Sequence, residues 1–252
     1  MSVVQLDQAI LERMALFAQY TPTFDDCQRT MDMAYLVFAH LEAAGDSFSS
    51  LEKATVRIGS LFSDIGKTGP GRANTDQQRL VAAMFSVERV PDDTITVLEF
   101  FRLYFPADAP ERCRRFAPLD LDPSMPIRQF WNLHSAWTLD FMQTVAVPPG
   151  AVAAAATHHL LENVNPDSIV AADGTFTRRF GSNSAFDRPE KLVIVLDKYD
   201  AVRRRGLRDH ASAISWLKAL VFDNERFRAD AQFNAMIDAV DAALSDKHTI
   251  FY

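Results

Sequence analysis

Cysteine is scarce in this sequence: Cys27 and Cys113 are its two. They are too few and too far apart for a disulfide framework, and no close Cys spacing of the metal-binding kind occurs, which suits a reducing compartment. Glycine and proline are also few, 9 and 12 among 252 residues, while 48% of the chain is hydrophobic. Such a chain is expected to fold, with apolar surface enough for one large core or two small ones. Runs of Val and Ile are rare, and 5 Tyr and 3 Trp are outnumbered by 19 Phe, beside frequent Ala and Leu. This balance favours packed helices over sheets, and the fold class is read as all-α.

Positive charge is in deficit as well. A formal charge of −7 and a pI near 5.4 would repel a phosphate polymer over most of the surface, so no nucleic-acid polymer is expected as a partner. A small anion in a local basic pocket remains compatible with that balance. Long apolar runs are missing: Val145 to Ala156 is the most apolar stretch and contains two prolines. It falls about six residues short of the ~18 needed to span a bilayer. The first residues have neither the basic start nor the continuous apolar run of a secretory signal, since Asp7 and Glu12 interrupt them. The cytoplasm is the expected compartment, and no membrane partner is expected.

What the chain does have is helical periodicity. Leu6, Ile10, Leu11, Met14 and Phe17 repeat at three- and four-residue steps, which predicts an amphipathic helix that stops at Thr21-Pro22 and serves packing or a homodimer. A second helix is expected from residues 23–26 to Gly45, and a third from a Ser cap near Ser47 to Ser50. The third should end at Ser63-Asp64-Ile65-Gly66-Lys67, with Gly66 as its C-terminal cap. Residues 68–77 are turn-rich, and from there to about 125 five prolines should keep the helices short. Regular helices are expected again at about 126–145, 149–163, 189–204, 208–222 and 230–246, with a loop at 164–188 and a short hairpin around Asp173-Gly174.

Six His occur, and two of them, His158 and His159, are adjacent, with His134 on the preceding helix. Neutral imidazoles with a carboxylate suit Zn, Fe, Mn or Co, and such a set becomes hydrolytic when the ion keeps a position open for water. Without further context a His-His pair is more often an ordinary core or surface feature. Asp64 alone could cap the next turn, Asp197 could be a surface acid beside Lys198, and Lys67 could be a solvated loop lysine. Arg203, Arg204, Arg205 and Arg208 form the most basic patch, which also fits a solvated helix end whose cations complement the dipole.

The order of five motifs adds to this. They are Asp26-Cys27-Gln28-Arg29, then Ser63-Asp64-Ile65-Gly66-Lys67, then His134, then His158-His159-Leu160, and last Asp197-Lys198-Tyr199-Asp200-Ala201-Val202 with Arg205-Gly206-Leu207-Arg208. Over nearly the whole chain after residue 20 this order resembles the HD-GYP branch of the HD metallohydrolases. Its pattern is an opening H-S/C-x-R helix, H-D-I-G-K, a lone His, H-H-E, and D-x-x-D-A-L with R-P-Y-R. The chain departs from that pattern where Asp26 and Ser63 stand for His, Leu160 stands for Glu, and Val164-Asn165-Pro166 lies where G-Y-P would fall.

The resemblance implies a helical HD bundle over residues 23–252, with residues 1–22 as an N-terminal helix and an insertion at about 75–125. It implies one divalent transition metal, Fe, Mn or Zn, held by Asp64, His134, His158 and His159. A second ion would keep Asp64, Asp197 and Asp26, an oxygen set that suits Mn or Mg if it is filled. Asp64 and Lys67 would be catalytic, and Lys67, Arg205 and Arg208 would hold the phosphate of a small phosphorylated ligand or nucleotide. The implied activity is metal-dependent hydrolysis of a phosphodiester or phosphomonoester, cyclic di-GMP first. The alternative is a weak or inactive HD-fold module that binds a nucleotide or a signalling protein partner. A di-iron oxygenase is less favoured, because it needs His at both ions.

Overall fold

Helices in this protein begin where the sequence supplies a cap. The computed structural model describes residues 8–87, 90, 92–119, 121–162, 164–165, 168–169, 186–206 and 208–245. Among these residues there are eleven α-helices, three short 3-10 turns and no strand, so the all-α expectation holds. In chain order the helices are α1 (Gln8–Tyr20), α2 (Thr23–Ala43), α3 (Ser50–Phe62), α4 (Thr75–Phe85), α5 (Val97–Tyr104) and α6 (Ala109–Phe116). They continue as α7 (Ile127–Met142), α8 (Pro149–Ala156), α9 (Arg188–Arg204), α10 (His210–Asp223) and α11 (Ala231–Leu244). Ser49 with Glu52, Asn74 with Gln77 and Thr96 with Glu99 form reciprocal capping boxes ahead of α3, α4 and α5. Among the described residues no helix is long and apolar enough to cross a membrane.

The chain divides into two compact units, Met1–Phe24 with Asp64–Val145, and Asp25–Ser63 with Ala146–Tyr252. The first holds α1, the turn Ile65–Thr68, and α4 to α7. Its core explains the excess of Phe: Phe100, Phe101, Phe116 and Phe130 are fully buried, and Phe101 meets Phe116 at 5.1 Å between ring centroids. The segment read as an insertion at about 75–125 lies within this unit. It contributes α4, α5 and α6 and leads into α7. In the loop ahead of α5 and in that ahead of α7 an Asp accepts a backbone bond from two residues on, Asp92 from Thr94 at 2.8 Å and Asp122 from Ser124 at 2.8 Å. The two loops then pair, Val97 N donating to Met125 O at 2.9 Å and Ile127 N to Ile95 O at 2.8 Å.

Two side groups fix the 65–71 loop of this unit. Arg13 of α1 donates from Nε to Thr68 Oγ1 at 2.7 Å, and from Nη2 to Pro70 O at 3.0 Å and to Gly69 O. Burial lowers its pKa to about 10, against the opposing charge of Asp140. Gly66 is not the left-handed helix cap that its sequence context predicts. The described glycines with positive φ are Gly45, Gly69 and Gly206, so Gly45 does close α2 as expected. Gly66 is needed for approach: a Cβ there would lie 2.0 Å from His134 O and 2.6 Å from Thr138 N of α7.

The second unit gathers α2, α3 and α8 to α11, with α9 at its centre. Leu192, Val193, Ile194, Val195 and Leu196 are all fully buried, and the charged Glu190, Lys191, Lys198 and Asp200 on the same helix are buried too, so α9 is enclosed on all sides rather than amphipathic. Small residues let α3 and α8 lie close, a Cβ on Gly59 meeting Ala154 Cβ at 3.0 Å. Helix α8 ends at Ala156, short of the expected 163, because Thr157 leaves helical geometry at φ −120° and ψ 23°. The hairpin expected around Asp173-Gly174 lies outside the described residues.

Replacing Gly66 by Ala should therefore do more than add a methyl group. The new Cβ meets backbone atoms rather than a flexible side-chain end, so destabilisation should reach or exceed the ~1–3 kcal/mol typical of overpacking. Urea melts of the variant against wild type measure this, and an unchanged midpoint would contradict the close approach.

Candidate metal centre

The site residues of the first unit come from the end of α3's sequence and from α7. After Phe62 the chain turns at Ser63 and Asp64 into the tight Ile65–Thr68 turn, whose Thr68 Oγ1 bonds Ile65 O at 2.6 Å. The close approach of Gly66 to α7, and a bond from Gly66 N to Thr138 Oγ1 at 3.0 Å, place Asp64 against His134. Asp64 Oδ1 lies 3.3 Å from His134 Nε2, and Oδ2 lies 3.0 Å from Lys67 Nζ. Lys67 also reaches Thr23 Oγ1 at 3.4 Å and stands 5.9 Å over the Phe85 ring. It is a held, partly buried cation rather than a solvated one.

The His134 ring has its orientation set from behind. Its Nδ1 lies 2.5 Å from Trp131 O, and a carbonyl can only accept, so Nδ1 carries a proton and Nε2 is the nitrogen that faces the Asp64 carboxylate. With the ring neutral, nitrogen lone pair and carboxylate face one another at 3.3 Å, and either a proton or a metal cation between them relieves the repulsion. His158, in the second unit, is held the same way, its Nδ1 bonding Ala155 O at 2.8 Å. His159 Nδ1 lies 2.5 Å from Glu162 Oε2. A ring N–H given to a carbonyl or carboxylate, with the other nitrogen left as donor, is the arrangement found behind metal-ligating His.

His158 and His159 were expected on a helix running to 163, and here the structure differs. They follow the end of α8, where Leu160 N bonds Thr157 O at 2.8 Å, and the rings lie tilted at 47° to one another with centroids 4.1 Å apart. Among the described residues, Asp64, His134, His158, His159 and Asp197 belong to the His/Asp groups that could hold a metal ion. All four residues assigned to the first ion fall within these groups, as does Asp197. The donor set, imidazole nitrogens with carboxylate oxygens, fits a borderline divalent ion.

Asp26 is placed differently. Its Oδ1 accepts from Arg29 Nη2 at 2.6 Å and its Oδ2 lies 2.9 Å from Arg204 Nη2. Arg29 is also paired with the buried Asp200, Nε to Oδ1 at 2.5 Å and Nη2 to Oδ2 at 3.0 Å, which raises the guanidinium pKa above its usual value. Burial pushes the Asp26 carboxyl above the ordinary range even with Arg204 and Arg29 beside it. Ser63, the other residue standing where the family has His, turns its Oγ to Ser60 O at 3.0 Å and lies 3.6 Å from Cys27 Sγ.

Of the basic patch, Arg208 is exposed and stands 5.8 Å over the Trp216 ring. Arg205, also exposed, acts on Glu162, whose pKa is lowered by Lys198 and Arg205 among others against the effect of burial. Sequence reasoning missed Glu162 and Lys198. A Glu three residues past a His pair and a Lys inside a buried helix were visible signals.

No family model matches this chain, and neither a curated protein nor a solved structure matches it. The likeness to the HD-GYP branch therefore rests on the ordered motifs of the sequence.

Because both oxygens of Asp26 are engaged by arginines, Asp26→Ala should leave metal content unchanged. It should lower stability by about 1–2 kcal/mol through guanidinium groups left short of an acceptor. Elemental analysis and chemical denaturation of one preparation measure both. Loss of an equivalent of metal would assign Asp26 to the ion instead.

Proposed function

We propose that this protein binds a divalent transition metal through Asp64, His134, His158 and His159, and uses it to hydrolyse a phosphoester. The observation that carries the reading is that His134 and His158 each give Nδ1 to a backbone carbonyl, at Trp131 O and Ala155 O, while His159 Nδ1 lies against both Glu162 Oε2 and Lys198 Nζ. In neutral form the first two rings then offer Nε2 as ligand, and the third does so when Glu162 accepts from its Nδ1–H. Fe, Mn or Zn suits three nitrogens with one carboxylate. Such an ion, when bound, supplies Lewis acidity and a water of lowered pKa. Lys67, held at Asp64, would offset charge developing on a phosphoryl oxygen, and Arg205 and Arg208 would hold the remaining anion.

The substrate is a phosphodiester or phosphomonoester, with cyclic di-GMP the first candidate by likeness of motif. The rate should be low, because the residues that stand for the family's other imidazoles are directed elsewhere: Asp26 to Arg29 and Arg204, and Ser63 to Ser60. This same observation favours a second reading, in which the protein binds a nucleotide with little or no turnover.

Protein purified without chelator should hold at least one transition ion per chain, and His158→Ala should lower that content. Well under half an equivalent, with no thermal shift on adding Mn, Fe or Zn, would dispose of the metal reading. Hydrolysis of an aryl phosphodiester should need added Mn and the Asp64 carboxylate. Lys67→Ala should keep the ion and lose roughly 10²-fold in rate, as deletion of one transition-state charge contact does. Inactivity with every ion tried, together with nucleotide binding that Arg205→Ala abolishes, would establish the second reading.

A further inference from the structure

His159 stands between two groups that make opposite demands on it. Its Nδ1 lies 2.5 Å from Glu162 Oε2 and 2.6 Å from Lys198 Nζ. An ionised carboxylate only accepts and an ammonium only donates, so one nitrogen cannot satisfy both. With the proton on Nδ1 the ring serves Glu162, and Nε2 has a lone pair for an ion. With Nδ1 accepting from Lys198 the proton moves to Nε2, and His159 is withdrawn as a ligand. The net proton count is the same in both states.

Lys198 is placed to act in this way. Its side chain is 4% exposed, with Nζ 2.7 Å from Glu162 Oε2 and 3.3 Å from Asp197 Oδ2. It can therefore leave His159 without leaving its acidic partners. We propose that Glu162 and Lys198 together decide which ring nitrogen of His159 holds the proton, and so whether His159 joins the metal sphere. Glu162 is a positioning residue that favours the bound state, and Lys198 is a built-in competitor of the ion. This inference rests on the metal reading above and adds to it how occupancy by a divalent ion is set.

The test uses the full-length chain, with Mn and Zn themselves as probes. Two-bond ¹H–¹⁵N spectra of metal-free wild type should show His159 as the Nε2–H tautomer, and Lys198→Met should convert it to Nδ1–H. Calorimetric titration should show Glu162→Ala binding roughly 10- to 100-fold more weakly, the range usual for such partners of a ligating His. Glu162→Asp should recover part of the loss, and Lys198→Met should bind as tightly as wild type or tighter. A role in folding alone would make both truncations weaken binding and leave the tautomer where it was. The inference fails if metal-free His159 has the same tautomer in wild type and Lys198→Met, or if Glu162→Ala binds as wild type does. Wild type that takes up no ion removes the metal reading and this inference with it, whereas tight wild-type binding with an indifferent Glu162 removes this inference alone.

Discussion

A backbone with no side chain, pressed against another backbone, sets the geometry on which the pairing of Asp64 with His134 depends. Gly66 sits where a Cβ would come within 2.0 Å of His134 O. That proximity is what brings the preceding Asp64 to 3.3 Å from His134 Nε2. Arg13 secures the far side of the same turn through Thr68 and Pro70, at the cost of burying a guanidinium. Cation, turn and helix together hold one carboxylate and one imidazole within reach of a common partner. Packing fixed in this way orients ligands better than a mobile loop could.

The same logic recurs in the second unit with different means. There the end of α8 is set by Thr157, whose Oγ1 bonds Ala153 O at 2.7 Å. The turn that follows places two imidazoles in succession. Each ring is then oriented from behind, His158 by a backbone carbonyl and His159 by a side-chain carboxylate. A carbonyl is a fixed acceptor that asks for one tautomer only. A carboxylate shared with an ammonium is adjustable, and this difference makes His159 the ligand open to regulation.

How much of this was legible in the sequence depends on the range of the interaction. Local rules located the helices: Gly45 ended α2, Thr21-Pro22 stopped α1, and the prolines between 75 and 125 marked short helices. Local rules failed at Gly66, because the partner that requires a glycine is His134 on α7, far along the chain. They failed at His158 and His159 because a run of Ala and a His pair looks helical until Thr157 leaves helical geometry. The pairing of Asp92-Asp93-Thr94 with Asp122-Pro123-Ser124 was present as a short repeated pattern. Only the bonds between the loops give it meaning. Residue types suited to metal binding could be selected from sequence, but the acceptors behind them could not, since two of the three are backbone oxygens that no residue identity announces.

The arginines around Asp26 set what that carboxylate can hold. Asp26, Asp200, Arg29 and Arg204 form a set of two carboxylates and two guanidiniums, joined at 2.5 to 3.0 Å through Arg29 and at 2.9 Å between Arg204 and Asp26. Formally the set is neutral. A divalent ion drawn to Asp26 would have to displace Arg29 or Arg204 from it, and would then face two cations freed of half their compensation. The carboxylate at position 26 is thus not simply a free oxygen ligand. It holds two arginines, which supply with protein side chains the positive charge that an ion would have brought. The place beside Asp64 differs in kind: that carboxylate has a lysine, Lys67, 3.0 Å from one oxygen, and its other oxygen faces an imidazole nitrogen of His134 at 3.3 Å. An ion drawn to Asp64 would displace no guanidinium, and that difference from Asp26 is the physical reason for expecting one ion rather than two.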